Sequence, residues 1–110
     1  IYDKYKGAHN LAVGDVGFDD MSRYVSVEGV AIAKEEVMLA WCDADAKERP
    51  YESSLRHFVS GCDTLTVATL NRCDYATQLI PDDIVTLYGV VDSYNGDVVL
   101  RLSAMKYIPQ

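Results

Sequence analysis

From Val85 onward the chain alternates with a period of two. Val85, Leu87, Gly89 and Val91 share one side of a first arm, and Val98, Leu100, Leu102 and Ala104 share one side of a second. Such spacing places every second residue on one face of an extended strand. The arms are joined by Tyr94-Asn95-Gly96-Asp97, and Asn-Gly is favoured in tight hairpin turns because both central residues take positive φ. The pattern predicts one long hairpin over Ile80–Ile108, introduced by Pro81-Asp82-Asp83. A glycine near the middle of its first arm is a mark of small β-barrels. Upstream, Tyr24–Ala33 (YVSVEGVAIA) is rich in β-branched residues and predicts the first strand. Gly29 at its centre marks a bend or bulge, through which one strand curls between two sheets.

The middle of the chain carries the weaker signals. Lys34-Glu35-Glu36 reads as a charged turn, Val37–Cys42 (VMLAWC) as the second strand and Thr64–Leu70 as the third. Asp43–Ser54 is polar, contains Pro50 and reads as a loop, while Leu55, Phe58 and Val59 fall at helical spacing and predict one or two helical turns closed by Gly61. Arg72–Leu79 predicts a short helix, capped by Asn71 and stopped by Pro81. Residues 1–10 are polar and predict a flexible arm. The turn-rich stretch that follows is expected to tuck Phe18 or Met21 under the barrel. The organisation is therefore an arm over 1–10 and one domain over 11–110, with the order β-β-β-α-β-β.

That order, all-β with one short helix after the third strand, resembles the OB-fold, a five-stranded Greek-key barrel. SRYVSVEGVA resembles the opening strand of that superfamily, and DDIVTLYGVVDSYNGDVVLRLSAMKYI resembles its closing hairpin. The resemblance implies a ligand face on the second and third strands, rimmed by the loops between strands one and two and between four and five. Here these are Val37–Cys42, Thr64–Leu70, Lys34–Glu36 and Asp92–Asp97. It also implies a role like that of the small OB subunits of single-stranded nucleic-acid-binding complexes, of the replication-protein-A or telomere-capping kind.

Charge changes that picture. Ten basic against seventeen acidic residues leave a net −7, with the basic residues scattered singly. A domain that holds nucleic acid alone carries a basic stripe to meet the phosphates. The candidates for contact are Lys34, Arg56, Arg72 and Arg101 for charge and Trp41, Tyr88 and Tyr94 for stacking. Trp41 has a competing assignment as core, because Val37, Leu39 and Trp41 form one alternating apolar set. The expectation is a binding module, docked on protein subunits of a DNA- or RNA-handling complex, with weak or shared contact to single-stranded nucleic acid. The runner-up is an autonomous single-stranded DNA- or RNA-binding protein; an enzyme using the cysteines comes last.

Little points to catalysis or cofactors. GxGxxG and GxxxxGK[ST] are absent, and Asp19-Asp20 and Asp82-Asp83 read as turn residues. Cys42, His57, Cys62 and Cys73 follow one another at spacings of 15, 5 and 11, which match no zinc template. The sequence therefore predicts neither an enzyme nor a metal or cofactor site. Three cysteines without a CxxC pair favour reduced thiols and an intracellular setting. Neither a membrane-length apolar run nor a signal-peptide pattern is present.

Overall fold

The computed structural model describes residues 6–108, so the first half of the predicted N-terminal arm lies outside the described residues, and in the other half His9 and Asn10 are held in a strand. The elements are β1 (His9–Asn10), β2 (Tyr24–Ile32), β3 (Ser53–Ser60), β4 (Asp63–Leu70), β5 (Val85–Tyr94) and β6 (Asp97–Tyr107), with four single 3-10 turns between β1 and β3. β2, β3, β4, β6 and β5 pair in that order, and β5 pairs back onto β2 to close a five-stranded barrel. Closure gives every barrel strand a neighbour on both sides, although β2–β3 and β4–β6 each meet over two residue pairs. Every barrel pairing is antiparallel except β4 with β6, which runs parallel. β1 adds a short parallel pair to the first half of β2.

β2 serves both sides of the barrel. Tyr24–Val27 pair with β5, the register breaks between Val27 and Val30, and Ala31-Ile32 pair with β3. Gly29 sits in that break with φ of +73°, the left-handed region that L side chains rarely adopt. This is the bulge that the sequence places at Gly29. The closing hairpin also forms where expected, with Tyr94 opposite Asp97 and positive φ at both Asn95 and Gly96. Val85, Leu87, Val91 and Leu100 lie in the buried core, joined there by Val25, Val27, Val30, Phe58 and Val67. One register detail differs. Tyr88 pairs with Ala104 but Gly89 with Leu102, so Ser103 is an extra residue. The bulge moves the inward position on from Ala104 to Met105, which packs against the core instead.

The second barrel strand is β3, not Val37–Cys42. Leu55, Phe58 and Val59 reach helical spacing only because they occupy both faces of a strand. Phe58 points inward while Arg56, on the same face, hides the alternation with a charge. Gly61 and Cys62 form the two-residue turn between Ser60 and Asp63 rather than a helix end.

Residues 72–79 form successive turns in place of a helix. Two of their backbone acceptors are claimed elsewhere, since Trp41 N–H donates to Gln78 O (3.0 Å) and Cys42 N–H to Ala76 O (3.0 Å), and just beyond them Ile80 N–H donates to Leu39 O (3.0 Å). Val37–Cys42 thus forms an antiparallel ribbon with 76–80, bridged at Ala40 and Leu79. The ribbon packs on the barrel by inserting Trp41 and Ile80 into the core. Near the N-terminus Val13, flanked by Leu11 and Val16, fills the place expected of Phe18 or Met21, and Phe18 is exposed.

Candidate functional site

With the second strand reassigned, the outer face of the β3–β4 hairpin is built from Leu55, His57 and Val59 on one strand and Thr64 and Thr66 on the other. The intervening Phe58, Leu65 and Val67 face the core. The first rung of this ladder is Ser53 opposite Leu70. Two residues beyond it on each strand stand Tyr51 and Arg72, with the Arg72 guanidinium 5.4 Å from the Tyr51 ring centre. Tyr51 is 83% exposed.

A second pair of the same kind flanks Ser53. The Arg101 guanidinium lies 5.7 Å from the Tyr94 ring centre. Arg101 Nη1 donates to Ser53 Oγ (3.1 Å), and Ser53 N–H donates to Tyr94 Oη (3.4 Å). Two arginine-over-tyrosine pairs therefore stand at the same end of the hairpin. An exposed ring with a cation over it is a sequence-tolerant platform for an unstacked base.

The acids at this end limit what the platform can hold. Asp92 Oδ2 accepts from Arg101 Nε, and that bond holds the Asp92 carboxyl below the usual carboxylate range. Arg49 is bonded to Asp43, Asp45 and Glu52, and its hydrogen bond lowers the Asp45 pKa in the same way. Arg56 is buried: it donates to Ala40 O (2.9 Å), Leu55 O (2.8 Å) and Asp43 Oδ1 (2.9 Å). A depressed carboxyl pKa stabilises the fold above the ordinary carboxylate range. That contribution is lost as pH falls through the lowered value. The Asp92 carboxyl is accordingly ionised at neutral pH and faces Arg101 as a charged partner.

The seven residues picked from the sequence separate into three groups. Arg72, Tyr94 and Arg101 come together at one end of the β3–β4 face. Trp41 and Arg56 leave the surface. Trp41 is 5% exposed, stacked on Phe58 at 5.8 Å and edge-on to Tyr75 at 6.0 Å. Arg56 is consumed in fixing the 40–43 segment to β3. Lys34 and Tyr88 stand apart. Lys34 follows Ala33, whose N–H bonds His57 O at the opposite end of β3. Tyr88 lies on β5 between β2 and β6. Tyr51 completes the platform and is not among the seven, since its partner Arg72 comes from beyond the far strand of the hairpin.

No family model and no curated protein matches this sequence. A solved structure does. The crystal structure of a chain assigned as an aspartyl-tRNA synthetase from Leishmania major Friedlin superposes with a TM-score of 0.59 at 11% identity, over 93% of this chain and 21% of that one. At such identity the likeness is one of fold, and this chain spans about a fifth of that protein's length. The barrel has an OB-like fold, and the connection between its first two barrel strands is the long 33–52 segment carrying the ribbon.

Beside the platform, a cleft of ≈ 570 Å³ lies between the 40–47 and 71–77 segments, with Cys42 and Cys73 among its walls. Burial, and after it the neighbouring Cys73, push the Cys42 thiol up to about 11. A thiol kept protonated at neutral pH is a poor nucleophile. Burial also pushes Tyr75 up to about 12. Among the described residues no three metal-binding side chains come together, and no helix is long and apolar enough to cross a membrane.

Proposed function

We propose that the chain is a non-catalytic OB-fold binding module. It docks on a protein subunit of an intracellular DNA- or RNA-handling assembly and lends single-stranded nucleic acid a weak, shared contact through Tyr51, Arg72, Tyr94 and Arg101. The observation that carries this reading is the pairing of the cations around the β3–β4 face. Arg49, Arg56 and Arg101 are each held by carboxylates of the chain itself, leaving Arg72 as the platform's cation without an ion pair among the described residues. Affinity for a strand grows with the number of phosphates neutralised, and a chain of net −7 offers few.

Fluorescence anisotropy with labelled single-stranded DNA and RNA, over a series of salt concentrations, tests this. The native chain is expected to bind weakly with a shallow salt dependence. Asp92→Asn frees Arg101 and is expected to strengthen binding and steepen the log–log salt slope by roughly 0.7, the increment of one added contact to a single strand. Tight, steeply salt-dependent binding by the native chain would replace the docking reading with that of an autonomous binder. An unchanged slope in the Asp92→Asn variant would remove Arg101 from the contact.

A further inference from the structure

The ribbon that replaces the expected second strand presents a surface unlike the rest of the barrel. Its inward residues, Trp41 and Ile80, are buried, but Met38 is 73% exposed, Leu39 42% and Leu79 60%. The backbone pairing of Ile80 N–H with Leu39 O, and the bridge of Ala40 to Leu79, bring these three positions to neighbouring places on the ribbon. Met38 also holds φ of +79°, in the left-handed region that L side chains rarely adopt.

The charges bracketing the patch differ from those at the platform. Lys34 and Glu35 precede it by four and three residues and Asp82-Asp83 follow Ile80 by two and three, so carboxylates outnumber cations three to one. The three carboxylates are exposed and have no ion pair among the described residues. At the platform, by contrast, Asp43, Asp45, Glu52 and Asp92 are each bound to an arginine. Apolar side chains rimmed by unpaired carboxylates complement a segment with apolar residues on one side and lysines or arginines around them.

We propose that the Met38–Leu39–Leu79 patch is the protein-docking surface of this module, and that its occupant is a basic amphipathic segment of the partner. This rests on the docking reading above and adds to it the site and the chemistry of the partner. The patch lies on the ribbon and the nucleic-acid platform at the β3–β4 end, so the two can be altered separately.

The probe is a fluorescein-labelled peptide with an amphipathic leucine–lysine repeat. Two controls accompany it: the same repeat with glutamate for lysine, and one with serine for leucine. The native chain is expected to bind the first and neither control. Met38→Ser and Leu79→Ser, both at exposed positions, are each expected to weaken binding about tenfold, the loss of one interface anchor. Unchanged far-UV circular dichroism would confirm that the variants fold. Equal binding by native chain and variants would overturn the proposal, as would equal binding of the serine control, which would make the contact one of charge alone. A concentration-dependent dimer of the native chain, abolished by Leu79→Ser, would also overturn it, since the occupant would then be a second copy. The docking reading itself fails on a different result, tight nucleic-acid binding by the native chain, whatever the peptide does.

Discussion

Gly89→Ala is expected to destabilise the barrel by about 3 kcal/mol or more, at the upper end of what overpacking a core produces. A Cβ built at Gly89 would lie 2.1 Å from Arg101 O, 2.9 Å from Arg101 C and 3.1 Å from Leu100 Cγ. The first two are backbone atoms of the paired strand and cannot rotate away. Relief requires β5 and β6 to separate where the extra Ser103 already breaks their register. β5 also closes the barrel onto β2, so the displacement reaches both seams. Gly29→Ala makes the informative comparison. There φ is +73° but nothing lies within 4 Å of the added carbon. Its expected cost is therefore only the backbone term, roughly 1–2 kcal/mol. Urea unfolding followed by far-UV circular dichroism separates the two. If Gly89→Ala unfolds at the midpoint of the native chain, the close approach of β5 to β6 is wrong.

The residues that made the barrel legible are those whose role is local. Gly29 at a bulge, Asn95-Gly96 at a turn and the alternation of Val85 to Val91 each state their conformation within a few positions. The barrel could be read from them although three interior elements were misassigned. Two of those errors share one cause. Whether Val37–Cys42 joins the barrel is decided by carbonyls at Ala76 and Gln78, more than thirty residues away, and the same hydrogen bonds keep 72–79 from closing a helix. The β3 strand was missed because Arg56 occupies an inward position, where its burial is offset by two carbonyls and Asp43. The candidate site divided in the same way. Tyr94 and Arg101 were legible from hairpin position alone. The Tyr51–Arg72 pair needed the register of β3 against β4, and the neutralisation of Arg49, Arg56 and Arg101 needed the folded ribbon. Charge counting gave the sign of that result in advance, since a chain of net −7 has acids to spare for its arginines.

Trp41→Ala is expected to cost about 3–5 kcal/mol, the range for removing a large buried aromatic side chain. The ring is 5% exposed, parallel to Phe58 and edge-on to Tyr75. It therefore ties the ribbon, a barrel strand and the 72–79 turns into one core. Removing it leaves a cavity that Phe58 cannot fill without leaving its own place inside β3. It also loosens the attachment of the ribbon, whose backbone bonds to 76–80 depend on that contact for exclusion of water. Trp41→Phe keeps an aromatic face against Phe58 and should retain most of the stability. The pair of substitutions also decides between the two roles the sequence allowed for this residue. Were Trp41 a stacking residue for nucleic acid, both variants would weaken strand binding while leaving urea unfolding nearly unchanged. As a core residue it should give the opposite: Trp41→Ala lowers the unfolding midpoint sharply, and Trp41→Phe binds single-stranded DNA and RNA as the native chain does, because the platform of Tyr51, Arg72, Tyr94 and Arg101 is intact.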